Sequence, residues 1–211
     1  AIGAIRYSPL TVIEALLSPG SADRDVVIIR TLRLPRTLLG LVVGAALGVA
    51  GAITQGLTRN PVAEPGILGV NAGAALFVAL GIVMFDASSL LSHVWLALIG
   101  AAFASVCVFS LGTGGRDGAT NPARLLIAGA ALTAALSSVT SALVLVETTT
   151  LDEFRFWLVG ALSGRTGDVV SQIAPVVAIG LVASVAIGGR LNVLSLGNDV
   201  AAALGVDVRR W

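Results

Sequence analysis

Five long stretches of this chain contain no Asp, Glu, Lys or Arg, and they constrain its fold more than any other feature. Thr37–Thr58, Pro65–Phe85, Ala87–Gly115, Leu125–Val146 and Val169–Gly189 each run to about 20 residues or more. His93 lies within the third. A helix needs roughly 20 apolar residues to cross the ~30 Å hydrocarbon core of a bilayer, so five spans are expected. Composition agrees: 56% of the 211 residues are hydrophobic and 12% charged, too apolar a mixture for one soluble core. The first ~30 residues carry Arg6, Glu14, Asp23, Arg24 and Asp25 and lack the apolar run of a signal peptide.

What is missing narrows the function. The basic residues are all arginine, 13 of them, with no lysine. Neither a P-loop nor Schiff-base chemistry is available without one. A single cysteine, Cys107, excludes internal disulfides and Cys-rich metal sites. The lone histidine, His93, cannot form a Ser-His-Asp set or a His pair, and it reads as an interfacial residue. A net charge of +1 leaves no nucleic-acid footprint. Gly112–Gly118 lacks dinucleotide-binding spacing and reads as a turn.

The spans differ in texture. Gly40, Gly44 and Gly48 recur every four residues, with Gly51 a turn further on. They form a groove where another helix backbone could approach closely, and Gly69 and Gly73 repeat the device. Thr133, Ser137, Ser138, Thr140 and Ser141 either bond to backbone carbonyls or line a wet path. Pro175 interrupts the last span.

Four loop motifs stand between them. Arg33-Leu34-Pro35-Arg36-Thr37 places a proline at the expected start of the first span. Gln55 to Gly69, with Asn60-Pro61-Val62-Ala63 at its centre, forces a sharp re-entry. Phe156 to Gly164 reads as an aromatic-anchored loop. Leu194 to Val206 reads as a turn, a short Ala-rich helix started by Asn198 or Asp199, and a stop at Gly205.

These motifs, in this order, resemble the permease subunits of type II ABC importers for iron-siderophores, haem and cobalamin, the FecCD-like (BtuC-like) family. Arg33–Gly69 is similar to the family's R-L-P-R-x…G-A-x-L-x-x-x-G-x-x-x-Q…N-P-L-A-x-P-x-x-L-G, with Val62 for the usual leucine. Gly197–Gly205 resembles L-G-x-x-x-A-x-x-L-G. The resemblance implies an all-α polytopic membrane protein, a helix bundle with about five spans here of a family total of about ten. It divides the chain into an extracytoplasmic segment (1–36), five spans (37–190) and a cytoplasmic coupling-helix loop (191–211), a single membrane domain matching family spans two to six.

Function follows as an expectation from the same resemblance. The chain would form half of a translocation pore in the bacterial cell membrane. Ferric siderophore would be the cargo, suggested by Arg155-Phe156-Trp157-Leu158-Val159-Gly160, with haem or cobalamin as alternatives. Partners would be a second permease subunit (homo- or heterodimer), an extracytoplasmic substrate-binding protein and two ATP-binding cassette subunits, with the lipid bilayer around them and no nucleic acid. No cofactor would be bound here, because ATP is used by the partner subunit. Arg33 and Arg36 match the family's binding-protein docking positions. Asn60, Pro61, Val62 and Asn121, Pro122, Ala123 match the cytoplasmic gate, the second turn departing from the hydroxyl residues of some relatives. Gly197, Asn198, Ala201, Leu204 and Gly205 match the coupling helix, with Ala201 and Leu204 expected to face the ATPase. The implied orientation places Arg59, Arg116, Arg124, Arg190, Arg209 and Arg210 inside and only Arg155 and Arg165 outside after the first span, as the positive-inside rule requires. Arg6, Arg24, Arg30, Arg33 and Arg36 break that rule. An intramembrane enzyme would need a Ser or Asp nucleophile with a histidine or lysine base inside the spans; there is no lysine, and the one histidine, His93, stands beside a turn. A scaffold or small-residue channel would need no ATPase.

Overall fold

The computed structural model describes residues 7–17, 23–113, 122–146, 148–162 and 166–203. Among these, the regular elements are all helical: α1 (Pro9–Leu17), α2 (Arg24–Ile28), a π-helical turn (Ile29–Arg33), α3 (Leu34–Thr58), a 3-10 turn (Pro65–Leu68), α4 (Val70–Phe85), α5 (Leu90–Thr113), α6 (Pro122–Val146), α7 (Thr148–Val159), α8 (Gly167–Ser195) and α9 (Asn198–Ala203). Among the described residues, four stretches are long and apolar enough to cross a membrane: Arg24–Thr58, Leu90–Gly112, Ala123–Val146 and Gly167–Ser195.

The remaining expected span is shorter than its charge-free run. Pro65 opens a 3-10 turn, and Gly69 at φ 74° takes a left-handed conformation that ends it. Only the 16 residues of α4 then continue, about 24 Å of helix. The first span departs in the other direction. Helix begins at Arg24 rather than at the proline, and 35 residues run without a break to Thr58. Pro35 lacks an N–H, and its ring would crowd the carbonyl of Thr31 four residues back in a regular helix. The π turn just ahead of it, closed by Leu34 N–H onto the Ile29 carbonyl, provides the room. The expected loop at Phe156 is mostly helical too, since α7 extends to Val159.

The chain divides into two compact units, and the division falls inside both α3 and α8. The first comprises residues 1–47 and 161–182. Its core holds Tyr7, Ala15, Val26 and Ile29, where α1 packs on α2 and the π turn. The second comprises residues 48–160 and 183–211, and α4 is its most enclosed helix. Val78, Ala79 and Ile82 of α4 meet Val144 of α6 and Phe154 of α7. Ala72 and Leu76 meet Ala104 of α5 and Leu136 of α6. Phe154 also stacks on Trp157, with ring centroids 5.8 Å apart.

Glycines let these helices approach, at Gly73 as expected but not along α3 within the described residues. A Cβ on Gly73 would collide with the Gly100 carbonyl oxygen, and one on Gly100 with that of Gly73. The α4–α5 crossing therefore brings backbone against backbone. Gly129 of α6 makes similar room for the Ile67 carbonyl of the 3-10 turn. Gly44, Gly48 and Gly51, by contrast, have nothing within 4 Å of a built Cβ, and Gly40 meets only Leu162 Cδ1 at 4.0 Å. Regular spacing makes a groove but does not choose its occupant. Among the described residues, the groove of α3 is open in this chain.

Thr140 and Ser138 follow the backbone-bonding alternative, whereas Thr133 Oγ1 is buried with no hydrogen-bond partner among the described residues. Thr140 donates to the Leu136 carbonyl at 2.9 Å, Ser138 to Ala134 at 2.9 Å, and Thr54 to Ala50 at 2.9 Å.

Candidate functional site

The exit of α3 is built by a residue in an unusual conformation. Arg59 follows the last helical residue with φ 52°, the left-handed conformation ordinarily left to glycine. A side chain with a Cβ costs about 1 kcal/mol or more there. Asn60 N–H then bonds back to the Gln55 carbonyl at 3.2 Å, the six-to-one bond of a Schellman ending. Asn60 organises the following turn from both ends. Its side-chain Oδ1 accepts from Val62 N–H at 3.1 Å, and its carbonyl accepts from Ala63 N–H at 3.1 Å. Pro61 fits the second position of this four-residue turn because its φ is preset. Ala63 and Thr58 are buried beneath it, while Val62 is 81% exposed. The Asn60-Pro61-Val62 turn is thus fixed in shape and presents two apolar side chains, Pro61 and Val62, outward.

The end of α8 lies against this exit. Its last turn leaves carbonyls without helical partners. Asn192 accepts from Ser195 Oγ at 2.7 Å, Val193 from Leu196 N–H at 3.2 Å, and Leu194 from Gly197 N–H at 3.2 Å. Leu194 accepts a second bond at 3.1 Å from Arg59 Nε, 135 residues away in sequence. A cation at a helix C-terminus also meets the negative end of the helix dipole. Beside this contact lies an open cleft of about 210 Å³, lined by Ala52, Ile53 and Gly56 of α3 and by Gly188, Leu191 and Ser195 of α8.

Gly197, at φ 112°, redirects the chain from α8 into α9. Its carbonyl accepts the first helical bond from Ala201 N–H at 2.9 Å, so Gly197 caps α9, one residue before Asn198 and two before Asp199, the two expected starts. Ala201 is fully buried within the chain, whereas Val200 is 45% exposed and Ala203 is exposed as well. That corrects the expected orientation, because the outward face of α9 carries Val200 and Ala203 rather than Ala201. Leu204 and Gly205 lie outside the described residues, as does Asn121. Pro122 opens α6 and Ala123 is exposed beside it.

The two arginines expected to dock a binding protein have different surroundings. Arg36 is exposed. Arg33 is half-buried, with its guanidinium carbon 4.5 Å from the centroid of the Tyr7 ring. The Tyr7 hydroxyl donates to Asp25 Oδ1 at 3.1 Å. Burial pushes the Tyr7 pKa up from its ordinary value near 10.0, and the bond to Asp25 adds to the rise against the opposing pull of Arg33 and Arg24. Arg33 is therefore engaged in fastening the segment before the first span. The Tyr7 contact was not legible beforehand, because nothing in the sequence pairs residues 7, 25 and 33.

Comparison with known proteins adds the family. The Bacillus subtilis protein named as the probable siderophore transport system permease YfiZ is 44% identical over 185 residues, which are 88% of this chain and 55% of that protein. The ferric enterobactin transport system permease FepD of Escherichia coli is 42% identical over 202 residues, 96% of this chain and 60% of its own length. This chain thus spans little more than half the length of these curated relatives. A solved structure described as an inward-facing conformation of a metal-chelate type ABC transporter superposes with a TM-score of 0.76 at 28% identity, covering 95% of this chain and 67% of that one. With a model of the FecCD transport family matching residues 1–211, and with four apolar helices long enough to cross a membrane among the described residues, the chain belongs to that family.

Proposed function

We propose that this chain forms one side of the translocation pore of an ABC importer for ferric siderophores, delivering substrate from a binding protein to the cytoplasm by alternating access. The observation that carries this reading is the family match along all 211 residues, with relatives named for siderophore transport among the most similar. The site geometry supports it. A rigid turn that holds Val62 outward suits a constriction, and a short helix with Val200 exposed after the α8 turn suits a docking surface for an ATPase. ATP hydrolysis belongs to two separate cassette subunits in this scheme, and a second permease subunit completes the pore. A binding protein meets the extracytoplasmic side, where Arg36 is the better placed of the two arginines.

Reconstitution of the full-length permease with its cognate binding protein and ATPase in proteoliposomes tests the proposal. Uptake of a radiolabelled ferric siderophore should require both ATP and the binding protein. Competition by haem or cobalamin at equal concentration should be weak. Preferred uptake of either would move the assignment to that cargo, and uptake independent of ATP would overturn the importer reading.

A further inference from the structure

Arg59 occupies a backbone position where glycine would be unstrained, and it extends its side chain to a carbonyl on another helix. The same residue sits between two elements whose roles differ. On one side, Asn60-Pro61-Val62 follows it directly; on the other, Leu194 precedes Gly197 and α9 by three and four residues. We propose that Arg59 is a positioning residue that ties the exit of α3 to the end of α8, so that a displacement of α9 is passed to the Asn60-Pro61-Val62 turn. The coupling part of this inference rests on the importer reading given above.

Three observations carry it. First, the left-handed φ of Arg59 is a strained choice where the chain needs only a helix stop, so the side chain has a task beyond ending α3. Second, its partner is a carbonyl in the last turn of α8, where a guanidinium both satisfies an acceptor and meets the negative helix end. Third, the neighbouring parts are stiff. The turn after Arg59 is closed by two bonds that Asn60 accepts, from Val62 N–H and Ala63 N–H, and the Leu194 carbonyl is also held by Gly197 N–H. The open cleft between α3 and α8 means that little packing besides this tie holds the two helix ends together. A cross-link between stiff ends transmits motion, whereas one between loose ends would absorb it.

The test uses the full-length permease in the complete transporter, with Arg59→Gly and Arg59→Ala compared. Glycine removes the guanidinium while relieving the strained φ, so a merely structural role predicts that Arg59→Gly is at least as stable and as active as the parent. Two readouts are taken. For the tie itself, spin labels at Leu57→Cys and Leu196→Cys, in a Cys107→Ala background, report the distance between the helix ends. For coupling, substrate molecules transported per ATP hydrolysed are measured in proteoliposomes, alongside melting temperature. The expected result is a broadened distance distribution in both variants and a fall of about five-fold or more in transport per ATP, with the melting temperature of Arg59→Gly unchanged or raised. An unchanged distance distribution in Arg59→Gly would overturn the tie. A broadened distribution with parental transport per ATP would overturn its coupling role. If the parental complex shows no ATP-dependent uptake, the importer reading fails, while the distance measurement still decides whether the tie exists.

Discussion

Replacing Gly73 with alanine introduces one methyl group at the α4–α5 crossing, and its cost can be worked from the structure. The new Cβ would lie 2.6 Å from Ala104 Cβ and closer still to the Gly100 carbonyl oxygen. Ordinary carbon contacts need about 3.5–4.0 Å, so the two backbones must separate by roughly 1 Å along this contact. The Gly100 oxygen belongs to a helix backbone and cannot rotate away. Ala72 and Leu76 flank the crossing in a buried cluster with Ala104 and Leu136, and separation there would open gaps that nothing fills. Overpacking of this kind costs about 1–3 kcal/mol, five- to a hundred-fold in the folded population. The matched control is Gly44→Ala, where a built Cβ meets nothing within 4 Å. The assay is the fraction of full-length permease that remains monodisperse after graded heating in detergent. Gly73→Ala should shift the midpoint down by several degrees and Gly44→Ala should not. Because Gly73 and Gly100 share one contact, their double variant should lose less than the sum of the single losses. Equal midpoints for Gly73→Ala, Gly44→Ala and the parent would refute the close-crossing argument.

The remaining predictions concern surfaces. In the proposed importer, Arg36→Glu should slow association with a binding protein and steepen its salt dependence, as exposed charges act mainly on encounter, whereas Arg33→Glu should expose α1 to proteolysis by removing the cation over Tyr7. Equal protease sensitivity of the two variants would count against this division. Val200→Arg should block co-purification with the ATPase while leaving the permease as heat-stable as its parent, and Ala201→Arg should lower its melting temperature instead, because its side chain is buried. The reverse pattern would restore Ala201 to the partner-facing side. The Tyr7–Asp25 bond uses the neutral phenol, whose folded pKa is raised, so its contribution is complete below about pH 10 and lost only as pH rises through that higher value. Proteolysis of α1, corrected for protease activity, should then be the same at about pH 7 and about pH 9, and a marked increase at the higher value would contradict the raised pKa.

How much of this could be read from sequence depends on the range of the interaction. Charge-free runs located the long helices because exclusion of charge from hydrocarbon is a local and additive requirement. The same rule overstated the second span. Pro65, Gly66 and Gly69 are uncharged, yet they break the helix by backbone geometry rather than by polarity. It also hid α7, where Asp152, Glu153 and Arg155 interrupt an otherwise helical stretch. Pro35 looked like a helix start because a π turn ahead of it leaves no trace in composition. The glycine spacing in α3 and the pair Gly73 and Gly100 show the clearest contrast. Spacing says that a backbone can come close, but only tertiary pairing decides which glycines are met. Within the candidate site, the turn at Asn60 was legible because Asn-Pro has a local mechanism. Arg59 was not, since its conformation and its bond to Leu194 both depend on a helix end far along the chain. The six residues of α9 carry no strong periodic signal, and so their inward face could not be chosen beforehand.

The enclosure of α4 also bears on how the chain reaches its membrane. A helix of about 24 Å falls short of the ~30 Å hydrocarbon layer, and the 3-10 turn before it leaves backbone groups that lipid could not satisfy. Protein partly covers that turn, with Gly129 drawn against the Ile67 carbonyl and Pro65 to Leu68 half-buried. At its other end, a link of four residues, Asp86 to Ser89, leads directly into α5, the helix that Gly73 crosses. During biogenesis α4 is therefore expected to enter the bilayer as one arm of a hairpin, with α5 supplying the length that α4 lacks.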